Sequence, residues 1–463
     1  MSAIVNDIHS ELNETTMREI VAVTSVEQAQ DAIRQAAASR AAIAIAGGRH
    51  AMGGQQFCTD GVLLDMRRLD GVVSLDMDAG VIVVQAGIEW PALVEYLGQR
   101  PGPEGPPWAI RQKQTGADRL SIGGALAANA HGRGLTYPPF VSDVESFTLI
   151  DPQGELVVCS RDDNADLFGL VAGGYGLFGC VVDVTMRLVP RQTVERVVEV
   201  REIEDLHALF ERRIDDGFLY GDFQFATDPA SDEFLRRGVF SCYRPIEHEG
   251  PLPTGQRVLT RDDWRQLIVL AHTDKSLAFS RYAEHYLATS GQLYYSDEHQ
   301  LGDYEDGYHR ALDAHLQSPN PATEMISELY VPRDRLADFM ADVAEDFRRH
   351  DVDSIYGTIR LIDRDVDSFL AWAREPWACV IFNLHTVHTD EGIQHSVESF
   401  RRLIDRAADR GGSYFLTYHR WATREQVERC YPRFGEFLDA KLSHDPDERF
   451  QSDWYRHHKR LLA

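Results

Sequence analysis

The chain has 463 residues, 43% of them hydrophobic, which is typical of a globular protein of two or three domains. It carries 47 Lys and Arg against 73 Asp and Glu, and this formal net charge of -26 argues against nucleic acid or an anionic membrane as the main partner. Six scattered cysteines without a CxxC pair predict neither a metal site nor a disulfide framework. There is no run of about 18 apolar residues and no apolar segment near residue 1, so we expect no membrane span, no secretory signal and a cytoplasmic location.

The chain up to about residue 190 alternates short strands with helices. Ser25 is placed to cap a helix over 26–39, and Pro91 is placed to open a second helix. A third, short helix begins near residue 165 and ends at glycines. Runs rich in β-branched residues, bounded by turn residues, predict strands over 19–25, 41–46, 61–66, 80–87, 144–151, 155–160 and 180–190.

From about residue 191 to 415 the pattern changes to longer helices that alternate with β-rich runs. The helical stretches are 261–274, 332–350 and 392–410, and the β-rich runs are 221–228, 326–332, 356–363 and 378–388. This alternation predicts a separate α+β domain with an antiparallel sheet. The tail, 420–463, contains a helix and then the segment DPDERFQSDWYR.

A first glycine-rich segment, AGGRHAMGG, follows the predicted strand that ends at residue 46. Glycines permit a close approach of the backbone, and successive N–H groups in such a loop can hold a diphosphate. Taken alone, the segment is equally typical of a tight turn, with His50 in a structural role. The candidate cofactor-binding residues here are Ala46, Gly47, Gly48, Arg49, His50, Ala51 and Met52.

A second segment, TGADRLSIGGALAANAHGRG, carries five glycines among small residues. So many small residues favour a flat ligand lying against the backbone. The spacing is neither GxGxxG after a strand nor GxxxxGK[ST], so a Rossmann fold and a P-loop are both disfavoured. The candidate cofactor-binding residues of this segment are Thr115, Gly116, Ser121, Gly123, Gly124, Asn129 and Gly132.

The two segments, in this order, resemble the FAD-binding domain of the vanillyl-alcohol oxidase superfamily, which has the PCMH-type fold. The stretches GIEWPALVEYL, VESFTLIDPQGELVVCS and LFGLVAGGYGLFGCVVDVTMRLVP resemble later landmarks of that domain, and DPDERFQSDWYR resembles its C-terminal closing motif. The resemblance implies FAD as the cofactor. It adds Gly179, Val181 and Tyr455 to the residues expected near FAD.

Two branches of the superfamily are most similar: the sugar-lactone and alditol oxidases, and the decaprenylphosphoryl-ribose oxidases. In the lactone and alditol branch, a histidine at the position of His50 is bonded to the flavin 8α carbon, whereas the ribose oxidases hold FAD without a covalent bond. The resemblance therefore implies a covalent 8α-histidyl link at His50. Ala117 stands where relatives with two covalent links carry cysteine.

The substrate side follows from the same resemblance and from the chemistry of alcohol oxidation. That reaction needs a group that takes or shares the hydroxyl proton and a cation that stabilises developing negative charge. A structural salt bridge or a hydrogen-bonded core role is the alternative for each candidate. Tyr418 departs from the lysine that both branches usually carry, which puts the activity of either branch in doubt. The candidate catalytic residues are Glu328, His131, Arg360, Tyr418, Asn383 and His385.

The expected protein is an α+β enzyme with a two-domain FAD-binding PCMH-type fold. We assign 1–190 to the FAD domain, 191–419 to an antiparallel-sheet substrate (cap) domain, and 420–463 to a segment that returns to the FAD domain. The expected function is FAD-dependent oxidation of a hydroxyl-bearing carbon of a sugar, polyol or related small molecule, with hydride going to flavin N5 and electrons to O2 or another acceptor. The alternatives are oxidation of a phenolic or amine-bearing natural product, and flavin binding without turnover.

Overall fold

The structure is a computed structural model that describes residues 3–100, 107–302 and 307–463. Its strands, in chain order, are β1 (Ala3–Val5), β2 (Thr15–Met17), β3 (Glu19–Ala22), β4 (Ile43–Ala46), β5 (Val62–Asp65), β6 (Val72–Asp76), β7 (Val81–Gln85), β8 (Trp108–Ala109), β9 (Val144–Ile150), β10 (Leu156–Ser160), β11 (Cys180–Arg187), β12 (Val189–Pro190), β13 (Thr193–Glu202), β14 (Tyr220–Phe225), β15 (Arg237–Ile246), β16 (Leu293–Tyr295), β17 (Ala322–Pro332), β18 (Ser354–Ile362), β19 (Trp377–Val387) and β20 (Ser413–Tyr414).

The helices are α1 (Val26–Ser39), α2 (Trp90–Gly98), α3 (Ile122–Ala128), α4 (Ala165–Val171), α5 (Leu206–Asp215), α6 (Arg261–Thr273), α7 (Lys275–Leu287), α8 (Tyr308–Leu316), α9 (Leu336–Arg349), α10 (Asp390–Asp409), α11 (Arg424–Cys430), α12 (Phe434–His444) and α13 (Asp453–Leu462). Within the described ranges, no helix combines the length and the apolar character needed to span a membrane.

Local sequence signals account for much of this element order. The hydroxyl of Ser25 accepts a hydrogen bond from the backbone N–H of Gln28 at 3.2 Å, so Ser25 caps α1 as predicted. Strand β6 was not predicted, because its residues are mostly exposed and show no apolar alternation. The tail forms α11, α12 and α13, where the sequence analysis expected a single helix.

The strands form both antiparallel and parallel sheets. One five-stranded antiparallel sheet has the order β10-β9-β11-β7-β6, and a three-stranded parallel sheet has the order β3-β5-β4. An eight-stranded antiparallel sheet follows, in the order β16-β13-β15-β14-β18-β19-β17-β20. The α+β class predicted from the sequence is therefore confirmed.

The eight-stranded sheet positions the site. Strands β17 and β19 pair over their whole length, from Ala322 opposite Val387 to Pro332 opposite Trp377. Helices α9 and α10 pack apolar side chains, such as Phe339 and Leu403, against these strands. Because side chains alternate between the two faces of a strand, the opposite face is available for polar and catalytic groups.

The C-terminal segment packs against the first part of the chain. The backbone N–H of Ile43 donates to the carbonyl of Arg449 at 2.7 Å, and that of Gln451 donates back to the carbonyl of Ile43 at 2.8 Å. Phe450 is fully buried in the apolar cluster that α1 also contributes to. The tail thus supports β4, the strand that leads into the first glycine-rich loop.

Candidate functional site

A cavity of about 760 Å³ lies between the glycine-rich loops and the open face of the eight-stranded sheet. Its volume is within the range typical of small-molecule and cofactor sites. Backbone-rich loops form one wall, and side chains of β17, β18 and β19 form the opposite wall. Helices α6, α7 and α8 contribute further lining, including Trp264, Ile268 and Tyr282.

The two glycine-rich segments touch each other at the bottom of this cavity. A Cβ atom at Gly47 would overlap the hydroxyl of Ser121, and one at Gly48 would overlap the carbonyl oxygen of Arg119. Only glycine permits so close an approach at these two positions. The same pair of residues leaves bare backbone facing the cavity.

Helix α3, in the middle of the second glycine-rich segment, lies along the same wall. The hydroxyl of Ser121 accepts from the backbone N–H of Gly124 at 3.2 Å and so caps the helix. A Cβ at Gly123 would stand 2.9 Å from that of Ala86, which ties the helix closely to the neighbouring strand. Gly116 has φ +83° with open space beyond it, so the loop before α3 leaves room for a bound group. This backbone-lined wall fits a flat cofactor such as a flavin.

His50 lies in the cavity wall and is paired with a second histidine. Its Nδ1 atom is 2.9 Å from Nε2 of His9, and the two ring centroids are 5.0 Å apart. Burial, followed by the proximity of His50 and His309, holds the pKa of His9 well below its usual value, so that His9 is neutral. The contact therefore orients the His50 ring through one shared hydrogen.

Most of the residues expected to bind FAD line the cavity. They are Gly47, Gly48, Arg49, His50, Ala51, Met52, Thr115, Gly116, Ser121, Gly123, Gly124, Gly179 and Val181.

Four others lie outside the cavity wall. Ala46 is buried at the end of β4, and a Cβ at Gly132 would stand 2.5 Å from the carbonyl oxygen of Lys113. The amide of Asn129 donates to Asp365 at 2.8 Å, and the hydroxyl of Tyr455 donates to Glu448 at 2.8 Å. These contacts hold the surrounding structure, so the geometry gives these residues a supporting position.

Glu328, in the middle of β17, is the centre of a buried hydrogen-bond network. Its Oε1 atom lies 2.6 Å from Nε2 of His131 and accepts the Tyr330 hydroxyl, also at 2.6 Å. The Cys379 thiol approaches Oε1 at 3.3 Å. On the other side, the hydroxyl of Tyr418 donates to Oε2 at 2.9 Å. Three of the predicted catalytic residues, Glu328, His131 and Tyr418, are thus brought together.

The network keeps Glu328 ionised. Burial alone would raise the pKa of this carboxyl, but His131 and the hydrogen bonds from Tyr330 and Tyr418 lower it to about 2. The pKa of Tyr418 is raised well above its usual value by burial and then by the nearby Glu328, so the phenol stays protonated and donates. The site therefore presents a carboxylate and a neutral phenol side by side at neutral pH.

The remaining predicted catalytic residues are spread along the same sheet. Arg360 on β18 and Asn383 on β19 line the cavity, and the Nε atom of Arg360 is buried without a hydrogen-bond partner among the described residues. His385 does not line the cavity. It pairs in register with Glu324, four residues before Glu328, and its ring packs edge-on against His272.

Comparison with known proteins agrees with this geometry. Residues 17–160 match the family described as FAD binding domain. The chain is 26% identical to L-gulono-1,4-lactone dehydrogenase of Mycobacterium tuberculosis, over 94% of this chain and 95% of that protein. It is 25% identical to bovine L-gulonolactone oxidase, over 36% of each chain. It is 29% identical to a putative D-arabinono-1,4-lactone oxidase of Neurospora crassa, over 36% of this chain and 28% of that protein.

The chain is an FAD-dependent oxidoreductase, and its relatives belong to the sugar-lactone oxidase branch of the vanillyl-alcohol oxidase superfamily. The matched residues include the first glycine-rich loop, α3 and four strands of the five-stranded sheet, β6, β7, β9 and β10. In this oxidoreductase the matched residues supply the backbone-lined wall of the cavity. The wall that carries Glu328 and Arg360 lies beyond the matched range.

Sequence reasoning missed two residues of the Glu328 network in this oxidoreductase. Tyr330 lies two positions after Glu328 on the same strand, and Cys379 lies opposite Tyr330 in the register of β17 and β19. The period-2 alternation of β17 could have indicated Tyr330, because it shares a face with Glu328. Cys379 had no such signal, since strand register is not readable from one strand alone.

Proposed function

We propose that this oxidoreductase oxidises a hydroxyl-bearing carbon of a sugar lactone, sugar, polyol or related small molecule, and that Glu328 holds the reacting hydroxyl. The observation that carries the proposal is the unequal use of the two Glu328 oxygens. His131, Tyr330 and Cys379 all contact Oε1, whereas among the described residues only Tyr418 donates to Oε2.

A carboxylate oxygen has about two lone-pair positions, so Oε2 retains one for a further donor. Glu328 and Tyr418 both line the cavity, which makes that position reachable by a ligand. A substrate hydroxyl that donates to Oε2 gains a charge-assisted hydrogen bond. As the carbon loses its hydride the hydroxyl becomes far more acidic, and the carboxylate is placed to take its proton.

Two further side chains near Glu328, Arg360 and His131, support this transfer of the hydroxyl proton. Arg360 is a permanent cation whose Nε atom has no hydrogen-bond partner in the described part of the chain, and it is placed to stabilise negative charge that develops in the cavity. Both ring nitrogens of His131 face oxygen acceptors, the carboxylate of Glu328 and the carbonyl of Gly132 at 3.0 Å. These two contacts fix the orientation of the His131 ring beside Glu328. Bound FAD would supply the hydride acceptor at N5 and would pass the electrons to O2 or another acceptor.

We further infer that the flavin is bonded to His50 through its 8α carbon. The inference is supported by the position of His50 in the backbone-lined wall and by the contact with His9 that orients its ring. A neutral imidazole is the form that can attack the electrophilic carbon.

We also infer a two-domain organisation. The five-stranded and three-stranded sheets are drawn from residues before 190, whereas the eight-stranded sheet begins with β13 and ends with β20 at Tyr414. In this arrangement the first domain provides the cofactor wall and the second provides Glu328 and Arg360. The contacts of Phe450 with α1 and β4 support the return of 420–463 to the first domain.

The substrate class is supported by the names of the relatives, which act on L-gulono-1,4-lactone or D-arabinono-1,4-lactone. A phenolic or amine-bearing natural product is the second candidate. It is favoured by the apolar side chains of α6 and α7 in the cavity wall, Trp264, Leu267, Ile268 and Tyr282.

Anaerobic reduction of the bound flavin tests the proposal. The holoenzyme is mixed with a panel of aldonolactones, sugars and polyols, and with a panel of phenols and amines, and bleaching of the flavin absorbance is followed. We expect bleaching by members of the first panel. Bleaching by phenols or amines alone would replace the proposed substrate class, and an unreduced flavin throughout both panels would favour binding without turnover.

A further inference from the structure

A second polar cluster lies on the same sheet face as Glu328, nearer the start of β17. Its centre is Glu324, which is buried and lines the cavity. The Oε1 atom of Glu324 is 3.1 Å from Nε2 of His272 on α6, and Oε2 is 2.9 Å from Nδ1 of His309 on α8. The hydroxyl of Tyr308 also donates to Oε2. Three side chains from two helices, α6 and α8, thus converge on one carboxylate.

His385 completes this cluster from the neighbouring strand. It is paired in register with Glu324 across β17 and β19, and its ring centroid lies 4.9 Å from that of His272. Its Nδ1 atom is buried without a hydrogen-bond partner among the described residues. The ligand atoms of His272, Glu324 and His385 all lie within 4.8 Å of one another.

We propose that His272, Glu324 and His385 bind a divalent transition metal ion, with Zn²⁺ as the best fit, and that its open coordination position faces the cavity. Two imidazoles and one carboxylate are a common three-residue ligand set for such ions, and a site with three protein ligands keeps a position for a further oxygen.

The distance between the Glu324 and His272 ligand atoms is close to that of a formed site. Two atoms that each lie about 2.1 Å from a tetrahedral ion are about 3.4 Å apart, and the Glu324 and His272 atoms are 3.1 Å apart. An ion placed between them replaces one hydrogen bond with two coordination bonds. A ligand atom of His385 lies within 4.8 Å of both, close enough to join the same shell once an ion draws the three side chains together.

The surroundings already orient the ligands. Tyr308 and His309 hold Oε2 of Glu324, which leaves Oε1 on the side of His272. Partners of this kind fix the ligand that they contact and raise metal affinity.

The location gives the ion a function distinct from that of Glu328. Glu324 and Glu328 are four residues apart on one face of β17, which corresponds to about 13 Å along the strand. An ion bound at Glu324 therefore sits away from the reacting end of the cavity. It is placed to hold an oxygen at the far end of a ligand, such as a hydroxyl or carboxylate group.

Metal binding is measured on the holoenzyme without substrate, so that the result is independent of the proposed reaction. The protein is treated with chelator, dialysed, titrated with Zn²⁺ by calorimetry, and assayed for bound metal after gel filtration. Co²⁺ serves as a second probe, because its visible d–d bands report a tetrahedral N/O site in difference spectra against the flavin. We expect one Zn²⁺ per chain.

Variants assign the ion to the cluster. His272→Ala, Glu324→Gln and His385→Ala should each lower Zn²⁺ affinity by at least about 100-fold, because outer partners of metal ligands alone contribute 10- to 100-fold. His248→Ala, at a partly exposed histidine outside the cluster, should retain full binding. An unchanged flavin spectrum and melting temperature show that each variant is folded, and His385→Gln replaces His385→Ala if that variant does not fold. The proposal is overturned if the wild-type protein binds no Zn²⁺ at equimolar concentration, or if folded variants bind it as well as the wild type.

Discussion

Replacement of Glu328 by glutamine separates the charge of this residue from its shape. Glutamine retains an oxygen that can accept from His131 and Tyr330 in place of Oε1. Its NH2 group replaces Oε2 and cannot accept a hydrogen bond from a substrate hydroxyl. The variant therefore removes the one function that we propose for Glu328 while keeping most of its packing.

The expected loss follows from the contacts of the carboxylate. Proton transfer by a positioned side chain contributes about 10²- to 10⁴-fold in rate, which corresponds to about 3 to 5 kcal/mol of the activation barrier. Loss of the charged hydrogen bond with Tyr418 should cost about 1.5–3 kcal/mol of folding free energy, offset in part because the buried charge is no longer desolvated. We therefore expect a large kinetic effect and a modest change in melting temperature.

The assay is the rate of anaerobic flavin bleaching in a stopped-flow instrument, over a range of substrate concentrations. Tyr330→Phe is the matched control, because it removes a donor to Oε1 but keeps the carboxylate and does not alter the cavity wall. We expect Tyr330→Phe to stay within about tenfold of the wild type, because the carboxylate keeps its contact with His131 and its Oε2 atom is unchanged. A Glu328→Gln variant with an intact flavin spectrum and a rate within tenfold of the wild type would refute the assigned role.

Three further predictions concern the cation, the flavin link and acid stability. Arg360→Met should lower kcat/KM by about 10²- to 10³-fold in steady-state assays; an unchanged value would show that the cation is structural. Acid precipitation should leave the flavin in the wild-type pellet and release it from His50→Ala, and flavin released from both would exclude the covalent bond. Burial lowers the pKa of His458 to about 3 from 6.5, so its neutral form stabilises the fold fully above pH 6.5 and progressively less as the pH falls toward 3. His458→Phe should therefore reduce the slope of unfolding free energy against pH by about 1.4 kcal/mol per unit in this window, measured by urea titration, and an unchanged slope would contradict this.

Several features of the fold were predictable from local signals. The Ser25 cap of α1 and the β-rich runs that form β17 and β18 can be recognised in short stretches of sequence. The glycines of the first two loops indicated a close backbone approach, and the contact between Gly47 and Ser121 gives the physical reason. The exposed strand β6 carried no comparable pattern and was missed.

The candidate site was only partly predictable, because its geometry depends on pairing between distant strands. Alternation places His385 on the same face as Asn383, but only the register shows that it lies opposite Glu324 and away from Glu328. Asn129 was expected at the cofactor, and the partner that holds its side chain, Asp365, is far away in the sequence. The cluster around Glu324 gave no spacing signal, since His272 and His385 come from α6 and β19. No metal site was therefore expected from the sequence, and the three-residue cluster could be found only in the folded chain.

The side chains on one face of β17 also lie at fixed distances along the cavity. Side chains on one face of a strand recur about every 6.6 Å, so Glu324, Ile326 and Glu328 mark three fixed positions along the cavity. A substitution on this face can therefore change the ligand length that the cavity accepts only at these positions, which are two residues apart. Substitution of Ile326, which lies between Glu324 and Glu328, would change the space available to a ligand between the two carboxylates without moving either carboxylate.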